Sequence, residues 1–450
     1  MSPILDLTSF LTIMPQFKRW EAYVQGRRAI HVEYGNLDSL KPQLRLTPID
    51  RWGARITAFD RKKRFTIAGS FNSKTKNVHG KILVGTSSCE SPPPTEAQTL
   101  QEELRPKKDS EAVSSAELWQ QILTRLEWII GTLREEKFQV KVWCGWEFRA
   151  YYNSLGSAME SVFPLSKLKI SVRTAETVLI KRAGTRQGVE FFDESPRVLI
   201  EDFLQDVQHA RAAEREGSIP KTLILDPEAT GMFIHEALGH SSEADHVLAN
   251  NSYLPVLLGH QIAPSNVTIV DSPKDFSSLG SYPFDDEGSP VQTTPIVKDG
   301  IISRYLTDRS TGAKLNVKST GNSRSFWYDN TPKVRMSNFA MLPGERDLED
   351  ILRETKDGLL VKGMKEGTSN NRTGDFSFKP NIAFRIRNGE LKEAVLVSKI
   401  EGNALDYMKA ITDISSNWSL CVAGCGKPTP QSDYAWVGYG APFVKFELQH

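Results

Sequence analysis

The stretch Gly231-Met232-Phe233-Ile234-His235-Glu236-Ala237-Leu238-Gly239-His240 constrains the fold of this chain more than any other. It reads as an apolar helix carrying two histidines and one carboxylate. Such groups are costly to bury without partners, and a bound cation is one such partner. In the zinc pattern H-E-x-x-H the histidines are four residues apart, about 40° around a helix, so both reach one metal. Here they are five apart, which on a regular α-helix is about 140° and nearly opposite faces. A metal site therefore requires an irregular helix. Gly239 permits that, by ending the helix or by hosting a π-bulge that brings i and i+5 together. The plainer alternative is a helix with two incidental histidines satisfied by nearby carboxylates.

The flanking text anchors this segment. Thr222-Leu223-Ile224-Leu225 reads as a short buried strand, and Asp226-Pro227-Glu228-Ala229 supplies an N-cap with proline at the first helical position. Upstream, Ala22–Gln25 and Ile30–Tyr34 alternate apolar and polar residues, with Gly26 and Gly35 as turn signals. Ala54–Phe59, Phe65–Ala68, Val140–Trp143, Phe148–Tyr152, Leu168–Val172 and Glu176–Ile180 extend the strand pattern. Helices are expected over Ala116–Glu136 and Ser195–Glu216. Ser91-Pro92-Pro93-Pro94-Thr95 lies in an apolar-poor run that reads as a surface linker, about 87–115. After Asn266 the text is β-rich, with hairpin signatures at Asp299-Gly300 and Asn388-Gly389 and short helices near Arg346–Glu354 and Leu405–Ile411. The fold class expected is α+β: an N-terminal α+β domain with an antiparallel sheet, 1–220, and a C-terminal β-rich domain, 221–450, that carries the metal-site helix.

A chain of 450 residues fits two or three domains. Its net charge of +1 gives no electrostatic case for nucleic acid as a direct partner. No apolar run approaches the roughly 18 residues of a membrane span, and no signal peptide is evident. Four cysteines are too few for a disulfide scaffold, so the expected location is cytoplasmic.

A catalytic zinc needs a third protein ligand and an open position. Glu243, Asp245, His246 and His260 are candidates close in sequence; Cys421 and Cys425, in Cys421-Val422-Ala423-Gly424-Cys425-Gly426-Lys427, are candidates from afar. Glu243 and Asp245 read better as acceptors that orient the histidine N–H groups. Cys89 and Cys144 read as structural or incidental. Asp285-Asp286-Glu287 reads as a solvated acidic turn. Arg309, Asn322 and Arg335 sit among strand ends and are candidates to meet a peptide's carbonyls or carboxylate.

These motifs converge on a known family. Asn153-Ser154-x-Gly156, His235-Glu236-Ala237-Leu238-Gly239-His240-x-x-Glu243-x-Asp245, Thr268–Asp271, Asp285–Gly288, Asp308-Arg309, Thr320–Asn322, Arg335–Asn338, Leu342–Gly344, Thr373–Phe376, Asn388-Gly389 and Cys425-Gly426-Lys427 occur in order. From about Val140 onward the chain resembles the TldD/PmbA family of metalloprotease-like proteins, once described as modulators of DNA gyrase, and more closely its HExxxH-bearing TldD branch. The resemblance implies a Zn2+ site built from His235, His240 and Cys425, with Glu236 as general base. It also implies unfolded or extended peptides as substrates, bound as an added strand, and a homodimer or a heterodimer with a PmbA-like chain. The first ~130 residues depart from the family pattern, and 428–435 reads as extra loop. The function expected is a zinc-dependent peptidase; the alternative is a non-catalytic regulatory or binding subunit of such a complex.

Overall fold

The computed structural model describes residues 19–39, 41, 43–60, 63–71, 78–79, 85–88, 115–134, 136–193, 195–274, 277–427 and 433–449. Cys89, nearly all of the 87–115 linker and most of the 428–435 loop lie outside these residues.

The N-terminal half is built on a sheet of long antiparallel strands: β1 (Arg19–Gly35), β2 (Gln43–Asp60), β3 (Lys63–Phe71), β4 (Lys137–Asn153), β5 (Ala158–Arg173) and β6 (Val178–Thr185). Their spatial order is β3-β2-β1-β4-β5-β6, so the first three strands join the last three through the β1–β4 pair. Two helices, α1 (Ser115–Leu133) and α2 (Ser195–Ala212), cover one face. Ile122, Leu126 and Ile129 of α1 and Phe203 and Val207 of α2 pack there with Val140, Val142, Leu168 and Ile170 of the sheet. Alternation puts the residues between those valines and leucines on the other face.

Gly26 does not turn the chain as its pattern suggests; β1 runs straight through it. A Cβ at that position would overlap the ring of Trp52, its partner on β2. Gly145 likewise lies inside β4, where a Cβ would overlap the backbone of Arg28. Both glycines admit close packing, whereas Gly35, with φ of 146°, is the last residue of β1, just before the turn.

The C-terminal half is a mixed sheet. Strand β7 (Thr222–Leu225) lies between β8 (Asp357–Asn370), parallel to it, and β11 (Asp433–Glu447), antiparallel. On the far side of β8 lies β9 (Asp375–Arg387), and β10 (Ile411–Lys427) forms a long hairpin with β11. The Asp299-Gly300 and Asn388-Gly389 turns carry positive φ at both residues, as two-residue hairpins require. Helix α3 (Pro227–Ile234) leaves β7 directly; Asp226 Oδ1 caps it by accepting from the Ala229 N–H at 2.8 Å. Ala229, Phe233 and Ile234 bury α3 in a core with Tyr439, Val444 and Phe446 of β11. The chain is thus α+β, with an antiparallel N-terminal sheet and a larger, mixed C-terminal one. No helix among the described residues is long and apolar enough to cross a membrane.

Candidate metal centre

The segment after α3 is a π turn, His235–Gly239. The His240 N–H bonds the His235 carbonyl, five residues back, so the two side chains meet on one side of the chain. Their rings lie 5.0 Å apart at 81°. The helix neither ends at Gly239 nor needs its backbone freedom, because its φ is an ordinary −58°. Gly239 is required for space instead: a Cβ there would overlap Met336 Sδ. Two hydroxyls support the turn's carbonyls. Ser242 Oγ donates to Gly239 O at 2.7 Å, and Tyr253 Oη donates to Ala237 O at 2.8 Å.

Cys425 arrives from β10. One ligand atom from each of His235, His240 and Cys425 falls within a set whose members all lie within 4.8 Å of one another. Cys425 Sγ is 3.4 Å from His240 Nε2. Zn–S and Zn–N bonds of about 2.3 and 2.1 Å at a tetrahedral angle would separate S and N by about 3.6 Å. The observed spacing fits a shared ion, and His235 Nδ1 is buried with no hydrogen-bond partner among the described residues. Electrostatics agree with the geometry. Burial raises the Cys425 thiol, but His240 and His235 outweigh it and hold it well below its usual range. Burial lowers His240, but Cys425 and Glu243 outweigh it in turn and hold the imidazole well above its usual range. Such a thiolate and imidazolium share one proton, which a divalent cation can replace.

Cys421 lies on the same strand face, four residues earlier, but outside this set. Burial, then the charge of Glu228, pushes its thiol up. His260 is exposed and also lies outside it.

Glu243 and Asp245 meet a residue that the sequence reading passed over. Lys427, two residues beyond Cys425, donates from Nζ to Glu243 Oε2 at 2.8 Å, to Asp245 Oδ1 at 2.7 Å and to Val334 O at 3.0 Å. Glu243 Oε2 also lies 3.5 Å from His240 Nδ1. Burial raises the Glu243 carboxyl, but Lys427 and His240 outweigh it and hold it well below the usual range. Lys427 therefore ties the strand of one candidate ligand to the hydrogen-bond partner of another. Glu243, Asp245 and His246 cluster closely enough to hold an ion of their own, but the Lys427 ammonium already bridges the two carboxylates. The visible signal for Lys427 was its place in Cys-Gly-Lys.

Glu236, beside the ligands in sequence, faces β8. Its Oε2 accepts from Ser369 Oγ at 3.2 Å, and a Cβ on Gly367 would stand 3.0 Å from its Cγ. The edge of β8 that faces away from β9 pairs with β7 only at Leu359–Val361.

Arg309 and Asn322 are engaged inside the protein rather than presented to a peptide. Arg309 is half-buried and pairs with Glu21 of β1 and Glu287. Asn322 Nδ2 donates to Asp271 Oδ2 at 2.7 Å and to Arg335 O at 2.9 Å. Arg335 is fully buried, and its guanidinium bonds the Cys425 carbonyl, steadying the ligand's strand. The acidic turn is not solvated: Asp285, Asp286 and Glu287 are buried. Asp285 accepts from the Glu287, Ser289 and Ser323 N–H groups, and Gly288, with φ of 71°, closes the turn.

Residues 219–447 match the family model described as the PmbA/TldA metallopeptidase C-terminal domain. A metalloprotease of Methanocaldococcus jannaschii is 38% identical over 205 residues, covering 46% of this chain and 45% of that protein. A zinc metalloprotease TldD homolog of Saccharolobus solfataricus is 33% identical over 252 residues, 55% of each chain. The chain spans about half the length of these curated relatives. TldE from Thermococcus kodakarensis has the same fold, with a TM-score of 0.74 over 98% of both chains at 19% identity. The matched region contains the π turn and the His235, His240 and Cys425 cluster. The chain belongs to the PmbA/TldD family.

Proposed function

We propose that this protein is a zinc-dependent peptidase that cleaves extended or unfolded peptides. The observation that carries the reading is the convergence of His235, His240 and Cys425 beside a carboxylate, Glu236, that faces a strand edge. His235, His240 and Cys425 would hold the ion. Zinc bound there supplies a Lewis acid that polarises the scissile carbonyl and acidifies its water. Glu236 accepts the water's proton and later delivers it to the leaving amine, while Ser369 Oγ keeps one carboxylate oxygen oriented. Past Val361, β8 has no second strand partner on its inner edge among the described residues, so a peptide can add there through backbone hydrogen bonds.

The names of the relatives support this class of activity. The likeness to TldE supports a two-chain assembly, either of like chains or with a PmbA-like partner. A division near residue 220 and a cytoplasmic location belong to the same reading; Cys144, Cys421 and Cys425 are all unpaired. The test is Glu236→Ala. The variant should retain the metal of the parent and lose peptide cleavage by at least about 10²-fold. Cleavage at the parental rate contradicts the mechanism; well-folded parent protein that takes up no zinc favours a non-catalytic subunit instead.

A further inference from the structure

The face of the N-terminal sheet turned away from the two helices carries a line of basic residues that reaches β8. Across the sheet, Glu33, Lys141, Lys169 and Arg182 stand opposite one another on β1, β4, β5 and β6. Lys167 follows two residues from Lys169 on the same face. These residues alternate with Val140, Val142, Leu168 and Ile170, which face the helices.

The two ends of this line differ. At one end Lys141 Nζ donates to Glu33 Oε1 at 2.9 Å and is neutralised. At the other, no carboxylate lies within 4.0 Å of the charged atoms of Lys167, Lys169 or Arg182 among the described residues. The Arg182 guanidinium instead holds the carbonyls of Met364 and Lys365, at 2.9 and 2.7 Å, and so joins this end to β8. Lys365 adds a fourth such cation; among the described residues its Nζ hydrogen-bonds only Thr177 Oγ1, at 2.5 Å. Lys365 lies at a register shift of β8, between Met364 and Glu366, two residues before Gly367, which with Ser369 touches Glu236. Lys167 Nζ lies 4.1 Å over the ring of Trp436, on the strand paired with that of Cys425.

All four are half-buried. Burial of a cation without a counter-charge is costly, and the cost is relieved when an anion docks. The strain is evident in the lysines. Burial, then Arg182 and Lys169, brings Lys167 down to about 7; burial, then Lys379, brings Lys365 down to about 8. In a chain of net charge +1, four uncompensated cations at one junction are a local asymmetry rather than a general basicity.

We propose that the junction of β6 with β8 is a subsite for acidic residues of an extended peptide substrate, with Lys365 nearest the scissile bond and Arg182, Lys169 and Lys167 beyond it. This rests on the peptidase reading and deepens it to a substrate class. Two strand positions separate Lys365 from Gly367, roughly 7 Å. The preference should therefore fall on side chains about two residues from the cleavage point, and a substrate's terminal carboxylate is an equivalent ligand there.

The experiment uses the full-length protein and matched sets of unstructured peptides that differ only in Glu, Gln or Lys at positions flanking one site. Cleavage is followed by kcat/KM, and binding by anisotropy of peptides labelled with a neutral fluorophore. The Glu set should exceed the Gln set by about tenfold or more, and the gap should shrink as salt is raised from about 50 to 500 mM. Lys169→Glu and Lys365→Glu should reverse the preference toward Lys peptides; Lys169→Gln and Lys365→Gln, milder for folding, should abolish it. Equal handling of the three sets, or a preference unmoved by all four variants, overturns the proposal. So does binding of a single-stranded oligonucleotide tighter than the Glu peptides. If no peptide is cleaved but Glu peptides bind with this charge dependence, the subsite stands and the peptidase reading falls.

Discussion

Glu243 and Glu147 are both fully buried carboxylates held charged by basic neighbours, yet their networks end differently. Glu147, on β4, meets Arg27 Nε at 2.7 Å and the Arg149 guanidinium, and Arg149 reaches Asp286 at 3.5 Å. Arg55 of β2 donates to the Asp286 carbonyl at 3.0 Å. This network joins the N-terminal sheet to the 285–287 turn and contains no candidate ligand. Lys427 and His240 both meet Glu243 Oε2, so its network terminates on a candidate ligand. Both obey the same rule, that a buried charge needs hydrogen-bonded partners, but one organises the fold and the other aims an imidazole.

The comparison is broken most severely at Glu147. Glu147→Gln leaves Arg27 and Arg149 without a full counter-charge and should cost about 3–5 kcal/mol in denaturant unfolding. Zinc content per folded chain should not change. The same residue sets a pH dependence. Burial raises its carboxyl, but Arg149, Arg27 and Arg186 hold it well below the usual range. A depressed folded pKa contributes stability above the unfolded value of about 4.3, and that contribution is lost as pH falls toward the folded value. The parent should therefore lose stability steeply below about pH 4, and Glu147→Gln should flatten that limb.

Lys427→Met is the matching break at the other network. It should weaken zinc binding by about 10–100-fold with a smaller loss of stability than Glu147→Gln, and Lys427→Arg should recover part of the affinity. A loss of stability with unchanged zinc affinity would make Lys427 a second Glu147. The smallest effect is expected at the π turn. Gly239→Ala should cost about 1–3 kcal/mol by overpacking against Met336, and Met336→Ala in the same chain should restore most of it.

The halves of the molecule were unequally legible in the sequence. Strand alternation located part of each long strand in the N-terminal half but named neither β8 nor β10, and the Asp226-Pro227 pair placed the start of α3. Gly26 misled, because a glycine that admits a neighbouring ring looks like one that turns the chain. The five-residue histidine spacing announced an irregular helix, and the π turn supplies it, though through packing at Gly239 rather than backbone freedom. Composition could not show that Asp285–Glu287 is buried, since its partners Arg55, Arg149 and Ser325 come from distant segments. Nor could spacing alone choose Cys425 over Cys421; the strand register and the two imidazoles separate them.

The central claim is that His235, His240 and Cys425 together hold zinc. X-ray absorption at the zinc edge, on protein purified without chelator, tests it most directly. The account predicts about one zinc per chain with one sulfur near 2.3 Å and nitrogen or oxygen near 2.0–2.1 Å, the sulfur shell vanishing in Cys425→Ser. A zinc shell without sulfur in the parent, or a sulfur shell that survives Cys425→Ser and disappears in Cys421→Ser, would contradict it.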